Sequence, residues 1–322
     1  MIALKSASLV RLAAAAGVLV GLLGLPAAVS AAGASKAAVV ASNVSVEPNF
    51  LIGTLLVQRH GTRGTPVVLV PGLASGAWVW QDTVNRLRDS HVVYVVTLAG
   101  FDGRPAVPGE LMKQALLSLK GLILTQKLDR PVLIGHSIGG VLALALAQNE
   151  PRLVSGVISI DGLPVFPGTE TMPAEQRPAM VASIKSSMTG LDQQQFASQR
   201  LQYMRDIGVI DPAMAERLAK LSSRSDPAAT AEYMAETLMI DLRPKLARIS
   251  VPVLLMSPYN AADGAARKLS EADKTAYYQS LMTGTPRVEV VSISPARHFA
   301  MFDQPQLVGE TIAGFLKSLG KP

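Results

Sequence analysis

The sequence predicts an α/β architecture, a mostly parallel central sheet with helices on both faces and an all-helical insertion, and three observations carry that expectation. Short apolar runs alternate with helical patterns from residue 66 to 160. The rhythm stops over 163–240, where almost every pattern is helical, and resumes from 251 onward. Between them, the apolar run that begins at Val132 ends in Gly135-His136-Ser137-Ile138-Gly139 and passes at once into an apolar helical pattern. Strands separated by helices cannot be joined as tight hairpins, so they read as parallel and covered on both faces.

The elements follow in order. Residues 1–31 have basic Lys5 and Arg11, an apolar run over 12–25, Pro26 as a breaker and small residues around Ala31, the layout of a cleaved secretory signal peptide. The apolar run is shorter than the ~20 residues a spanning helix needs, so stable membrane insertion is not expected after cleavage, and export to the periplasm or medium is. Residues 32–50 read as a flexible lead-in with a strand near 44–46. The runs 51–57 and 66–70 flank a turn with Gly61 and Gly64, the simple pattern of a hairpin. Helices are expected over 77–88, 109–128 and 138–148, and strands over 92–98, 131–135 and 157–160. In 163–240, Asp211-Pro212 and Asp226-Pro227 each place an N-cap residue before a first-turn proline. Strands at 251–256 and 288–293 and helices at 271–282 and 306–319 complete a core of 51–162 plus 241–322, with 163–240 as its lid.

Composition narrows the chemistry. The chain has 322 residues, 49% of them hydrophobic, which is ample for a large core. It has no cysteine, so disulfides, thiolate catalysis and Cys-ligated metals are excluded. The formal charge of +6 comes from scattered Lys and Arg without a run or an aromatic-interleaved patch, which argues against a nucleic-acid partner. No phosphate-binding glycine loop occurs, the four histidines stand in unrelated contexts, and no cofactor or metal is expected.

Gly135 and Gly139 remove the side chains that would collide in a tight turn between strand and helix, and that turn would lift the Ser137 hydroxyl clear of the sheet at a helix N-terminus. Serine needs a neighbouring base oriented by a third group. His60 lies in a turn, His91 opens a strand, and His136 points away from Ser137. His298 follows the strand 288–293 in a loop at the sheet's carboxyl end, where it could reach the serine. Backbone N–H groups of Ile138, after the nucleophile, and of Leu73, after Pro71-Gly72, would serve a developing oxyanion.

Taken together, Gly135-His136-Ser137-Ile138-Gly139 and the segment from Arg297-His298-Phe299 to Pro305 resemble the α/β-hydrolase family with a helical cap, which includes carboxylesterases, lactonases and cofactor-free haloperoxidases. The resemblance covers about residues 50–320. It departs from the family at Pro71-Gly72, where His-Gly is usual, and in the acid. The resemblance implies an Asp after the strand beginning Pro252-Val253-Leu254, where the customary place holds Ala261. Asp263 then becomes the acid through a loop two residues longer, or Asp161, at the end of the strand 157–160, takes the role instead.

The expected function is a serine hydrolase cleaving a small apolar carboxylic ester or lactone through an acyl-enzyme on Ser137. Acyl transfer, perhydrolysis or C–C hydrolysis could use the same triad, and a non-catalytic binding protein could share the scaffold without needing nucleophile, base and glycines together. A small-molecule substrate is the expected partner, and oligomeric state is left open. Seven of the twelve methionines, Met172, Met180, Met188, Met204, Met214, Met234 and Met239, lie in 163–240 with Phe196 and Tyr203, a composition suited to an adaptable apolar lining.

Overall fold

The computed structural model of the protein describes residues 49–188 and 190–320. The expected signal peptide and the strand near 44–46 lie outside the described residues. Eight strands form one sheet: β1 (Phe50–Ile52), β2 (Leu55–His60), β3 (Pro66–Val70), β4 (Val92–Thr97), β5 (Val132–His136), β6 (Gly156–Ile160), β7 (Val253–Pro258) and β8 (Val288–Ile293). Their spatial order is β1-β2-β4-β3-β5-β6-β7-β8. Pairs β1–β2 and β2–β4 are antiparallel, and every other pair is parallel.

The expected hairpin between 51–57 and 66–70 does not form. Its first half is itself two strands, β1 and β2, joined at Gly53-Thr54, and β2 pairs with β4 rather than β3. The segment 61–65 instead carries the chain past the end of β4. Gly64 permits that crossing: a Cβ there would lie 1.8 Å from the Ser90 carbonyl oxygen. The two glycines mark a close crossing of backbones, a requirement that looks identical to a tight turn in sequence.

Side chains alternate across the parallel strands and feed two cores. Val68, Val70 and Leu133 enter one, built with α2 (Leu111–Thr125) and α3 (Ile138–Asn149). Val67, Leu69, Val132 and Ile134 enter the other, built with α1 (Gln81–Leu87) and the C-terminal helices α10 (Ala300–Asp303) and α11 (Pro305–Leu319). Being buried on both faces explains why these strands read as unbroken apolar runs.

Between β6 and β7 lie α4 (Arg177–Met188), α5 (Gln193–Tyr203), a π turn (Met204–Gly208), α6 (Pro212–Ser222) and α7 (Pro227–Met239). Asp211 and Asp226 cap α6 and α7 through Ala213 N–H and Ala229 N–H. After β7, α8 (Ala261–Arg267) occupies what reads in sequence as a loop. Asn260 nucleates it by accepting from the N–H groups of Ala262 and Asp263. Helix α9 (Glu271–Leu281) follows.

Candidate active site

The sheet order places the site. The chain leaves β3 toward β4 on one side and returns to β5 on the other, so the ends of β3 and β5 flank the point where connections diverge, the usual crevice for a ligand in such sheets. Leu73 follows β3 and Ser137 follows β5, and both line one pocket together with Ile138 and His298.

Ser137 has φ 53° and ψ −121°, the strained turn expected between strand and helix. A Cβ on Gly135 would lie 2.2 Å from the Gly139 carbonyl carbon, so strand and helix meet there without room for a methyl group. The serine N–H donates to the Ile160 carbonyl at 2.9 Å, which ties the elbow to the end of β6. At that end Gly162 is equally constrained, since its Cβ would lie 2.5 Å from the Ser137 carbonyl oxygen. Ile138 opens α3, so its N–H has no acceptor within the helix.

His298 Nδ1 donates to Asp161 Oδ2 at 2.5 Å. The expectation favouring Asp263 as partner of the histidine is corrected here. Asp263 sits in the first turn of α8 and makes a two-pronged ion pair with Arg297, at 2.8 Å from Nε and 2.9 Å from Nη2. The cap at Asn260 turns the anticipated loop into helix, and the guanidinium next to His298 in sequence occupies the carboxylate. Asp161, the alternative, reaches the ring because it turns at φ 51° directly after β6.

Two residues that gave no sequence signal surround Asp161. Tyr278, on α9, donates its hydroxyl to Asp161 Oδ1. Lys274, one turn earlier, is largely buried and donates to the Pro258 carbonyl. Burial alone would raise the Asp161 carboxyl. The facing imidazole, its hydrogen bond, the Lys274 ammonium and the Tyr278 hydroxyl outweigh that and hold it below the usual carboxylate range. A carboxylate at Nδ1 fixes the hydrogen there and leaves the lone pair of a neutral imidazole on Nε2.

His136, inside the elbow, supports His298 from behind. Its Nε2–H donates to the His298 carbonyl at 3.0 Å, and the two rings lie 4.5 Å apart. Burial, reinforced by the neighbouring His298, lowers its pKa to about 3 against the raising influence of that hydrogen bond, so His136 is neutral at ordinary pH.

The loop carrying His298 is also fastened to the π turn. His298 N–H donates to the Ile207 carbonyl at 3.1 Å and Phe299 N–H to the Gly208 carbonyl at 2.9 Å. Arg297 Nη1 donates to the Arg205 carbonyl at 2.6 Å, and Asp303 accepts from the N–H groups of Ile210 and Arg297. Much of the remaining pocket wall is apolar, with Val141, Ile184, Leu238 and Ile240 among its residues, and polar side chains including Arg200 and Asn260 complete it. Of the seven methionines singled out, only Met188 and Met234 line it. Met204 is buried in the core, and Met239 is 44% exposed.

Comparison with known proteins agrees with this fold. A family model described as "Alpha/beta hydrolase family" matches residues 67–311. A pimeloyl-[acyl-carrier protein] methyl ester esterase of Pectobacterium carotovorum is 25% identical over 83% of this chain and 100% of its own length. Among solved structures, the enol-lactonase from Burkholderia xenovorans superposes with a TM-score of 0.63 at 20% identity, covering 84% of this chain and 100% of that one. A thermophilic esterase from Thermogutta terrifontis gives 0.65 at 23%, covering 85% and 100%. These likenesses carry the fold, and the family match spans most of the chain: the protein belongs to the alpha/beta hydrolase family.

Proposed function

We propose that this hydrolase cleaves a small carboxylic ester or lactone through an acyl-enzyme on Ser137. The observation that carries the reading is the His298–Asp161 hydrogen bond at 2.5 Å within the pocket that Ser137 lines. Ser137 Oγ attacks the ester carbonyl carbon while His298 Nε2 takes the hydroxyl proton, and Asp161 stabilises the resulting imidazolium. The oxyanion accepts from the N–H groups of Ile138 and Leu73. The tetrahedral intermediate collapses by breaking the ester C–O bond, and His298 returns the proton to the departing alkoxide. Water, deprotonated by the same nitrogen, then attacks the acyl-enzyme and releases the acid and Ser137. The names of the Pectobacterium esterase and the Burkholderia lactonase, both acting on such bonds, favour this class.

The apolar wall favours a substrate with a hydrocarbon body. Across neutral p-nitrophenyl esters of increasing acyl length, kcat/KM is expected to rise by up to about fourfold per methylene, corresponding to ~0.8 kcal/mol of burial, until the pocket is full. A flat profile counts against it.

The basic, apolar and small-residue layout of 1–31 supports export of the protein with cleavage after about Ala31. The reading of residues 163–240 as a lid is supported by the side chains that they supply to the pocket, among them Ile184, Met188 and Tyr203. Intact mass of protein secreted by a bacterial host should place the mature N-terminus near Ala32. A full-length product retained at the membrane would count against cleavage.

A further inference from the structure

Helix α5 brings a cation to the pocket for which the proposed ester chemistry has no use. Arg200 is 1% exposed, lines the same pocket as Ser137 and His298, and makes no ion pair among the described residues. Its Nε donates to Ser222 Oγ at 3.0 Å, its guanidinium carbon lies 4.3 Å from the centre of the Tyr203 ring, and its Nη1 has no hydrogen-bond partner. The Tyr203 ring in turn lies 6.1 Å from the His298 ring, so a single aromatic side chain separates this guanidinium from the catalytic imidazole.

A guanidinium stays charged when buried, and a buried cation with an unused donor is costly unless something negative completes it. The carboxylates that also line the pocket are directed elsewhere. Asp161 serves His298 and Tyr278, Asp263 holds Arg297, and Asp206 accepts from Gln202 and acts electrostatically on Arg297. An anionic group on the ligand would supply the partner that Nη1 lacks among the described residues.

We propose that Arg200 is an anion-reading subsite and that the substrate is an ester carrying a carboxylate at the far end of a short apolar chain. The ester part rests on the hydrolase reading above; the anion part rests on Arg200 alone. The planar fork of a guanidinium matches a carboxylate, whereas a neutral analogue leaves the buried donor unpaired, which is the arrangement that discriminates most strongly.

The test compares methyl pentanoate and methyl hexanoate with the monomethyl esters of glutaric and adipic acid by methanol release. A second series, butyl acetate against 4-acetoxybutyrate, covers a carboxylate on the alcohol side. Wild-type protein should prefer the carboxylate member at least tenfold in one series. Arg200→Met should lower that preference tenfold or more, and Arg200→Lys should lower it less. Faster turnover of the neutral ester in both series by wild-type protein overturns the proposal without relying on any Arg200 variant. Calorimetric binding of glutarate and adipate to Ser137→Ala protein, against 1,5-pentanediol, reads the subsite without turnover. Dicarboxylate binding abolished by adding Arg200→Met supports it even if no ester is cleaved, an outcome that would sink only the hydrolase reading. No dicarboxylate binding beside active hydrolysis of neutral esters would sink only the subsite.

Discussion

Replacing Ser137 by alanine is expected to lower ester turnover by about 10⁶ and to abolish labelling by a fluorophosphonate probe, while thermal unfolding stays close to that of the wild type. The substitution removes one oxygen from the pocket wall. The alanine keeps the Cβ and the N–H that donates to the Ile160 carbonyl, so the elbow retains its anchor. Residual activity would measure what the oxyanion donors and substrate binding supply alone. Labelling of the variant at the wild-type rate would remove Ser137 from the mechanism.

The second large effect separates the two aspartates. Asp161→Asn should lower turnover by ~10⁴ with little change in substrate binding, because an amide of the same shape no longer favours the Nδ1–H form of His298 or its cation. The same change at Asp263 should alter turnover little. It breaks the ion pair with Arg297, a partly exposed contact, and should be read mainly in unfolding experiments as a loss of about 1 kcal/mol or less. Comparable loss of turnover from both variants would mean that Arg297, and not only Asp161, governs the position of the histidine.

Most of the fold was legible because strands buried on both faces and separated by helices leave a pattern that tertiary context has little power to disguise. The hairpin misreading at 58–65 shows the limit: glycine announces that backbones come close, but not which ones. The places of Ser137 and His298 were legible for a related reason, since Ser137 is marked by its own glycines and His298 by its place after the last strand. The carboxylate that faces the histidine was not. Counting along the segment after β7 assumes an extended loop, and one Asn side chain capping α8 undoes that assumption. The decisive contact, Arg297 with Asp263, spans distant segments and has no local signature. Asp161 resembled a turn residue before glycine and does adopt a turn conformation, which is what aims its carboxylate at the ring. Tyr278 and Lys274 fall within an ordinary helical pattern, and only the packing of α9 beneath the carboxylate gives them meaning.

The bonds between the histidine loop and the π turn have a mechanical consequence. His298 and the insertion are latched along that edge, so lifting α5 would drag His298 away from Asp161 and break the hydrogen bond between them. Any opening of α5 as a rigid body would therefore have to be reversed before His298 and Asp161 could act together. Across the pocket, α4 and the segment after β6 supply Phe166, Pro167, Ile184 and Met188 to the wall. On the α5 side, then, the wall that meets a ligand and the contact that orients the imidazole move as one piece.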